Sequence, residues 1–491
     1  MKIPIIVSES LYVPRMPELE EMLRDLRERF THPNPDYWKR KKQGFYTGNM
    51  QSTIKCHGNV THPLFGPCLM LPRGGSQKLR EVADLYDVEL GWLDQRLSLP
   101  GITHLNNDVK LWPEQQKLAE IMFKKENCLI RSPTGSGKTE TLLKVAEWIL
   151  LTAGPVLIII WEGSRRSGLM KQWIDRICER FGLHPNDVGV IGDGLKRIKP
   201  LTVGMQQTLK NVGRRYTQSF GGIICDEVQR FAAPTFQKVV GIYPARYRFG
   251  ASADETRKDG KEFMIYDAFG DVAGEVEKAT LIEKNKIKDV TIRVVPTGFN
   301  YTIMVGGDEY DWSQLASEDK DFNELLNVMT HSQSRDELMW HYVEKCLRSG
   351  RICLAGTARV KHAREWDKRV RAAGFTSGLM LGDKKNADEF ETTKEGLQSR
   401  KIQFGVGTYQ KVATGHDITS LDRGFMLTPI GGNKQLLEQF MGRLRRTDHL
   451  KTDVVAYYFW DQALYPSHKG SITRTYPGRT QVLVDGEFLT A

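Results

Sequence analysis

The chain has 491 residues, and at roughly 100–200 residues per domain this length predicts about three folded units. Its 26% charged and 40% hydrophobic residues are ordinary for a chain that buries a core, which excludes wholesale disorder. The net charge of +10 suits a polyanionic partner without identifying one, and no apolar run approaches the roughly 20 residues that span a bilayer.

The first 105 residues form a separate accessory α+β domain in this interpretation, with a charged helix predicted at 18–29. The opening apolar stretch is short and broken by Pro4, so we expect no secretory signal and a cytosolic location. Residues 37–46 are basic and aromatic. This stretch is equally compatible with a duplex-binding surface and with a solvated helix face that carries core aromatics.

The seven cysteines are an odd number without a Cys-x-x-Cys pair, which argues for reduced thiols and against a disulfide framework. Cys56, His57, His62 and Cys68 have the residue types of a metal site but lack compact spacing. Loop and core positions are therefore favoured over zinc ligands.

From about residue 127 the chain alternates short apolar runs with amphipathic helical stretches, the pattern of a parallel sheet covered by helices. A second such series begins near Asp336. The predicted strands lie at 128–131, 156–161, 201–203, 222–225 and 246–249, and then at 352–355, 378–381, 402–406, 424–427 and 454–459. The predicted organisation is an accessory domain (1–105), a first α/β domain (106–296), a polar linker or insertion (297–323), a second α/β domain (324–461) and a tail (462–491).

Residues 132–139 form a Gly-rich loop between a predicted strand and a helix predicted from Lys138, the context of a phosphate-binding loop. Gly135 and Gly137 allow close backbone approach to phosphates, Lys138 brings a positive charge, and the Thr139 hydroxyl can ligate Mg²⁺. Ser132 stands where the general pattern has glycine. A flexible Gly/Ser turn is the alternative, and the flanking strand and helix disfavour it.

Asp226 and Glu227 follow a buried predicted strand, at the sheet edge where α/β proteins build their sites. Asp226 is predicted to hold Mg²⁺ through water, and Glu227 to orient and deprotonate the attacking water. An isolated acidic pair is usually a solvated turn. Together with the phosphate loop, the pair predicts a hydrolytic site.

Arg443 and Arg446 are three residues apart on a predicted helix and are therefore expected to share a face. Two guanidiniums suit the charge that develops on a transferring phosphoryl group. A basic solvated face, or direct contact with nucleic acid, is the alternative.

These motifs, in this order over residues 111–461, resemble those of the superfamily 2 helicases. Residues 111–115 are similar to the adenine-reading Q motif, 132–139 to motif I, 226–229 to motif II, 250–254 to motif III, 408 with 415–417 to motif V, and 439–446 to motif VI. Asp254 replaces the usual threonine, His416 replaces a commonly apolar residue, and Gln229 departs from the residues that name the DEAD-box RNA helicases and their nearest subgroups.

The resemblance implies two tandem RecA-like parallel-sheet domains that use ATP and Mg²⁺. On this basis the ATP-site residues are Gln115, Thr134, Gly135, Ser136, Gly137, Lys138, Thr139, Gly415 and Asp417, with Thr139 and Asp226 at the metal and Lys138, Glu227, Arg443 and Arg446 in catalysis. Segments 169–173 and 204–208 resemble motifs Ia and Ic, which implies nucleic-acid contacts at Gln172, Gly204, Gln207, Thr208 and Thr408.

Residues 256–260 and the basic N-terminal region are similar to those of phage branch-migration helicases of the UvsW type, which implies a phage protein that acts in the host cytoplasm. The resulting hypothesis is a monomeric ATP-dependent motor that unwinds or branch-migrates forked and branched DNA in replication or recombination. A translocase or remodeller that never separates strands, and an RNA helicase, are the alternatives. A small-molecule P-loop kinase would have no use for motif VI, and no nuclease cluster is recognised.

Overall fold

The computed structural model describes most of the chain, and everything below refers to those residues. They are 1–106, 109–165, 168–231, 238–253, 257, 259–305, 308–315, 321–382, 387–413, 418–430 and 433–491. The chain divides into two compact units, the first comprising Met1–Pro133 with Gly137–Glu277 and the second Thr134–Ser136 with Lys278–Ala491.

The N-terminal region has its own sheet and its own apolar core, as the α+β prediction requires. Its strands are β1 (Lys2–Val7), β2 (Ser10–Pro14), β3 (Thr31–Pro33), β4 (Thr53–Lys55), β5 (Gly58–His62), β6 (Gly66–Pro72) and β7 (Glu89–Asp94). Five of them form a sheet in the order β5-β6-β2-β1-β7, and β3 pairs with β4. The helices Glu20–Arg29 and Ser76–Leu85 cover the sheet with apolar residues on one side, whereas the helix Pro35–Lys42 buries no residue.

The first of the two predicted α/β domains contains an eight-stranded sheet, the first motor sheet, in the order β11-β10-β12-β9-β13-β14-β8-β15. Its pairings are parallel except that of β11. The strands are β8 (Asn127–Arg131), β9 (Val156–Ile160), β10 (Gly189–Gly192), β11 (Leu195–Arg197), β12 (Leu201–Met205), β13 (Gly222–Asp226), β14 (Tyr247–Ser252) and β15 (Val272–Glu275). The longer helices are Pro113–Lys125, Lys138–Thr152, Gly168–Phe181 and Phe263–Phe269. The inner strands β9 and β13 are buried along their whole length, which explains their continuous apolar runs.

The accessory domain is docked against this motor sheet within the first unit. Lys78 and His32 both contact the buried carboxylate of Asp267, at 2.8 and 2.9 Å. A side chain at Gly74 would lie 2.4 Å from the backbone nitrogen of Gly270, so the two backbones approach as closely as glycine permits. Contacts of this kind hold the two regions together as one compact body.

The second motor sheet also has eight strands, in the order β20-β21-β19-β22-β23-β16-β24-β25, parallel except for β25. The strands are β16 (Thr291–Pro296), β19 (Cys353–Thr357), β20 (Ser377–Met380), β21 (Phe404–Thr408), β22 (Arg423–Met426), β23 (Val455–Trp460), β24 (Thr480–Val484) and β25 (Glu487–Thr490). The longer helices of this unit are Gln333–Arg348, Val360–Ala372, Ala387–Gln398, Lys434–Leu444 and Pro466–Thr475. The expectation of an α/β chain with two tandem parallel sheets is confirmed.

Two of the expected boundaries move. The strand β16, which the boundary at 296 placed in the first domain, pairs with β23 and β24 in the second sheet. The tail after 462 supplies β24 and β25 of the same sheet. Both differences have one cause: strand pairing between segments that are far apart in sequence leaves no local signal at either segment.

The segment proposed as a linker contains a small hairpin, β17 (Thr302–Val305) with β18 (Asp308–Asp311). Beyond it the buried Trp312 packs in an apolar cluster with Leu325 and Met329. None of the seven cysteines, all of which the structure describes, forms a disulfide. Among the described residues, no helix is long and apolar enough to cross a membrane.

Candidate ATP-hydrolysis site

The Gly-rich loop lies at the end of β8 and leads into the helix Lys138–Thr152. Gly135 and Gly137 adopt φ values of +89° and +73°, which side-chain-bearing residues rarely adopt. The backbone nitrogen of Ser132 donates to the carbonyl of Ser252 at 2.9 Å, which fixes the start of the loop to β14. A strand, a loop with left-handed glycines and a helix N-terminus together form a phosphate-binding arrangement.

Lys138 and the acidic pair meet in space, although 88 residues separate Lys138 from Asp226 in the sequence. The Lys138 ammonium lies 3.1 Å from Asp226 Oδ1 and donates a short hydrogen bond to Glu227. They converge because β8 and β13 flank β14 in parallel, so that all three carboxyl ends lie at one edge of the sheet. The structure therefore brings together the lysine and the two carboxylates that the sequence singled out.

Burial and charge set the protonation of this trio. Burial alone would lower the pKa of Lys138, but the attraction of Asp226 and Glu227 outweighs it and leaves the pKa above its usual value. Burial raises the pKa of Asp226 in spite of the nearby Lys138 charge. Burial opposes ionisation of Glu227 as well, but the positive charges of Lys138 and Arg230 prevail and lower its pKa to about 2. Glu227 is therefore ionised at neutral pH.

Asp226 has the features of a carboxylate that serves a metal ion. Its Oδ2 accepts a hydrogen bond from the buried Trp173 indole at 3.1 Å, which fixes the orientation of the carboxylate. Its Oδ1 is buried, and although the Lys138 ammonium lies 3.1 Å away, no donor among the described residues is aligned to form a hydrogen bond with it. An oxygen in that state is available to a metal-bound water, so the residues present fit the expected Mg²⁺.

Gln229 connects the acidic pair to the neighbouring strand. Its amide nitrogen donates to Glu227 at 2.5 Å, and its amide oxygen accepts from the Ser252 hydroxyl at 2.6 Å. The Ser252 carbonyl also accepts the hydrogen bond from the Ser132 backbone nitrogen. One buried chain of hydrogen bonds thus joins the phosphate loop, Glu227 and β14.

We expect Gln229→Ala to lower kcat for ATP hydrolysis about tenfold, with little change in KM for ATP. Losing one such hydrogen bond to a charged group costs on the order of 1.4 kcal/mol, which is a factor of ten in rate. Steady-state ATPase kinetics measure the effect, and Gln116→Ala, an exposed glutamine on the helix Pro113–Lys125, is the matched control. An unchanged kcat in Gln229→Ala would show that the bridge does not position Glu227.

Gln115, the expected adenine reader, is buried beside the phosphate loop. Its amide oxygen accepts from the Trp112 backbone at 2.8 Å, and its amide nitrogen lies 3.3 Å from the Gly137 carbonyl. This glutamine therefore caps its own helix and contacts the loop. Its recognition of adenine stays a prediction.

In the second unit, the prediction that Arg443 and Arg446 share a helix is wrong. The helix Lys434–Leu444 ends before Arg446, and the buried Lys451 ammonium donates to the carbonyls of Leu444 and Arg446 at 2.8 and 2.7 Å. The buried Lys451 side chain thus satisfies carbonyls that the end of the helix leaves without an intrahelical donor. Arg443 is on the helix and donates to the Ala413 carbonyl at 3.0 and 3.1 Å.

The residues expected to contact nucleic acid have unequal environments. Gln172, Thr208 and Thr408 are half-buried, and the exposed Gln207 donates to the Trp161 carbonyl at 3.1 Å. Gly204 is buried in β12, where a side chain would meet Leu209 at 2.9 Å, so packing explains this glycine. Nucleic-acid contacts at these positions stay predictions, and Gly204 is disfavoured among them.

Some expected residues lie outside the described part of the chain. They are Gly415, His416 and Asp417 of the motif V segment, Asp254 of the motif III segment, and Thr256 and Lys258 after it.

The sequence did not single out the role of Trp173, and it missed the roles of two charged residues that follow the acidic pair. Arg257 donates to the Phe231 carbonyl at 2.6 Å and forms an ion pair with Asp259 at 2.7 Å. Lys261 reaches the accessory domain, where it pairs with Asp36 at 2.6 Å. The neighbouring aspartate and glycine were the available signal, but the Phe231 carbonyl and Asp36 lie on segments that are distant in sequence.

The basic aromatic stretch of the accessory domain is exposed. Trp38, Phe45 and Tyr46 are 48%, 63% and 88% exposed, so the interpretation of these three aromatics as core residues is wrong. The Lys41 ammonium lies 5.1 Å from the Trp38 ring centroid. The helix Pro35–Lys42 and residues 43–46 therefore present cations and aromatic faces to solvent together; we call them the basic helix surface.

The cysteine–histidine cluster noted in the sequence does not assemble as a set. Among the residues that the structure describes, the one grouping of potential metal ligands is His32, Cys56 and Asp267. Both oxygens of Asp267 are already engaged, by His32 and by Lys78. We assign no metal to this group.

Comparison with known protein families finds a match to the first α/β domain. The family described as "Type III restriction enzyme, res subunit" matches residues 108–255. "Probable helicase D10" of Escherichia phage T5 is 23% identical over 336 residues, which are 67% of each chain.

Two solved structures are also similar. A fragment of a "putative HsdR subunit of a type I restriction enzyme" from Vibrio vulnificus YJ016 matches with a TM-score of 0.54 and 14% identity, over 77% of this chain and 70% of that one. T4 UvsW matches with a TM-score of 0.42 and 16% identity, over 94% and 91% of the two chains. The similarity to the HsdR fragment shows a shared fold and nothing more.

Proposed function

Because the chain belongs to the superfamily 2 helicases and is an ATP-hydrolysing helicase or translocase, we propose that it unwinds or branch-migrates forked and branched DNA. We place this activity in replication or recombination, as a monomer in the cytoplasm of a phage-infected cell. The single observation that supports a nucleic-acid track most strongly is the basic helix surface, because cations follow phosphates and exposed aromatic rings stack on bases.

In this proposal the residues of the first unit divide the hydrolytic work. Lys138 holds the outer phosphates of ATP, Asp226 holds Mg²⁺ through water, and Glu227 orients and deprotonates the attacking water. Mg²⁺ supplies charge neutralisation between the phosphates when bound. Arg443 and Arg446 contribute positive charge to the transferring phosphoryl group.

Hydrolysis is coupled to the track through the accessory domain. Arg257 holds the segment after the acidic pair, and Lys261, four residues on, pairs with Asp36 at the start of the basic helix surface. A displacement of the acidic segment on hydrolysis therefore has a short mechanical route to the DNA-facing helix. We infer that Lys261 transmits this movement.

An unwinding panel tests the function. Forks, four-way junctions, plain duplexes and RNA hybrids are incubated with ATP and full-length protein, and strand products are separated on gels. The proposal expects junctions and forks to be resolved with ATP. If duplex stimulates ATP hydrolysis but no strand is displaced or migrated, the chain is a translocase or remodeller; unwinding confined to RNA hybrids would make it an RNA helicase.

The basic helix surface predicts how binding responds to salt. Replacing Lys39, Arg40, Lys41 and Lys42 with glutamine should weaken duplex binding and reduce the slope of log K against log salt by about 1 for each DNA phosphate that is no longer neutralised. Fluorescence anisotropy over a salt series measures both quantities. The control replaces Lys124 and Lys125, at the end of the helix Pro113–Lys125, in the same way. An unchanged slope in the fourfold variant would mean that the DNA track lies elsewhere.

A further inference from the structure

A cavity of about 460 Å³ lies within the first unit, between the accessory domain and the first motor sheet. It is separate from the hydrolytic site, since none of Lys138, Asp226 or Glu227 lines it. Four cationic side chains line it against two carboxylates: Lys55, Arg73, Lys238 and Arg248 against Glu9 and Asp267.

Two of these cations are buried and form no ion pair with a described residue. Arg73 and Arg248 are 3% and 1% exposed, and among the described residues neither forms an ion pair. Arg73 donates to the Ala245 carbonyl at 2.5 Å, and Arg248 to the carbonyls of Glu9 and Tyr243 at 2.8 and 3.0 Å. These acceptors are neutral. The Arg248 Nε is buried and has no hydrogen-bond partner within the part of the chain that the structure describes.

Neither carboxylate at the cavity forms an ion pair with Arg73 or Arg248 among the described residues. Asp267 pairs with Lys78 and contacts the His32 imidazole, and the Glu9 carboxylate accepts a hydrogen bond from Tyr12. Burial lowers the pKa of Arg248 to about 10, and Cys225 and Glu9 offset this lowering only in part. Buried cations are ordinarily paired, so an unpaired one at a cavity wall is the mark of an anion site.

We propose that this cavity binds a phosphate-bearing ligand of nucleotide size, with the phosphate at Arg73 and Arg248. The volume is within the range of small-molecule sites. The apolar side chains of Met70, Val240 and Met264 line the same cavity and can contact a base or sugar. The ligand is either a free nucleotide or the phosphorylated end of a strand, which share this chemistry.

Isothermal titration calorimetry tests the site on the full chain carrying Lys138→Ala, which cripples the ATP site in every sample. The probes are dAMP, inorganic phosphate and deoxyadenosine. We expect dAMP to bind one to one, phosphate to bind more weakly, and deoxyadenosine not to bind. Adding Arg248→Met should weaken dAMP binding at least about tenfold, because the variant cannot form the charge-assisted hydrogen bond to the phosphate.

Two further variants keep the test decisive. Lys55→Ala changes an exposed lysine at the cavity and should weaken dAMP binding a few-fold even if Arg248→Met fails to fold, whereas Lys124→Ala, which does not line the cavity, should not. Absence of dAMP and phosphate binding overturns the proposal, as does equal affinity in the parent and Lys55→Ala proteins.

Oligonucleotides with and without a 5′-phosphate separate the two sources of ligand. A preference for the phosphorylated strand that disappears in Arg248→Met identifies a strand end, and its absence alongside dAMP binding identifies a free nucleotide. The inference does not depend on the proposed helicase activity. Arg248→Met with the native Lys138 is expected to retain ATP hydrolysis, so failure of one proposal leaves the other testable.

Discussion

Glu227→Gln is expected to lower kcat for ATP hydrolysis by about 10²–10⁴-fold while ATP still binds, because glutamine keeps the shape of the side chain but cannot accept the proton of the attacking water. Glu227 holds its charge under the influence of Lys138 and Arg230, with a pKa lowered to about 2, so the base is present throughout the neutral range. Single-turnover hydrolysis and equilibrium binding of a fluorescent ATP analogue separate the two effects.

Lys138→Ala is the companion variant and should lose nucleotide binding as well as turnover. It removes the cation that both carboxylates approach, at 3.1 Å for Asp226. Asp193→Asn, an exposed carboxylate elsewhere in the same unit, controls for a general effect of removing a charge. Full ATPase in Glu227→Gln would remove Glu227 from the reaction and with it the proposed motor chemistry.

Arg446→Ala should lower kcat about 10³-fold with ATP binding preserved, since arginines that stabilise a transferring phosphoryl group contribute on that order. Arg446 lies just beyond the end of its helix, in a segment held by Lys451. Its place beyond the helix means that the segment after Leu444, and not helical periodicity, sets the direction of its side chain.

Arg445→Met provides a matched control one residue away. Arg445 is buried, pairs with Glu438 at 3.0 Å and lies 3.3 Å from the Tyr476 hydroxyl, so its loss should lower the free energy of unfolding rather than kcat. Thermal unfolding and steady-state ATPase assays distinguish the two outcomes. If Arg446→Ala hydrolyses ATP at the parental rate, the transferring phosphate is stabilised by other groups.

Much of the architecture was predictable because most inner strands of the two parallel sheets are largely or wholly buried. Strands such as Val156–Ile160 and Gly222–Asp226 are buried from end to end. The glycines at 135 and 137 lie between a strand and a helix, as the sequence predicted. The strand Thr291–Pro296 is also largely apolar, yet the sequence did not show to which sheet it belongs. The six residues of this strand carry no information about the distant strands with which they pair.

Some features of the site were likewise predictable from the sequence, and others depend on the folded structure. The residue types and spacing of the phosphate loop and the acidic pair predicted Lys138, Asp226 and Glu227, because phosphate and metal chemistry restrict which side chains serve at such positions. The structure brings these three side chains together. The Gln229–Ser252 bridge, the Trp173 contact and the Lys261–Asp36 pair depend on segments that are brought together only by folding.

The sequence by itself determined that this protein is a two-sheet ATPase motor with a basic accessory domain, since short-range patterns encode strands, helices and phosphate loops. Only the tertiary structure decided that the aromatics of the accessory helix face solvent and that the helix carrying Arg443 stops before Arg446. It also showed that Arg73 and Arg248 are buried and form no ion pair among the described residues. Exposure, the contacts that satisfy a helix end and charge compensation are properties of neighbours in space, which the linear order of residues does not record.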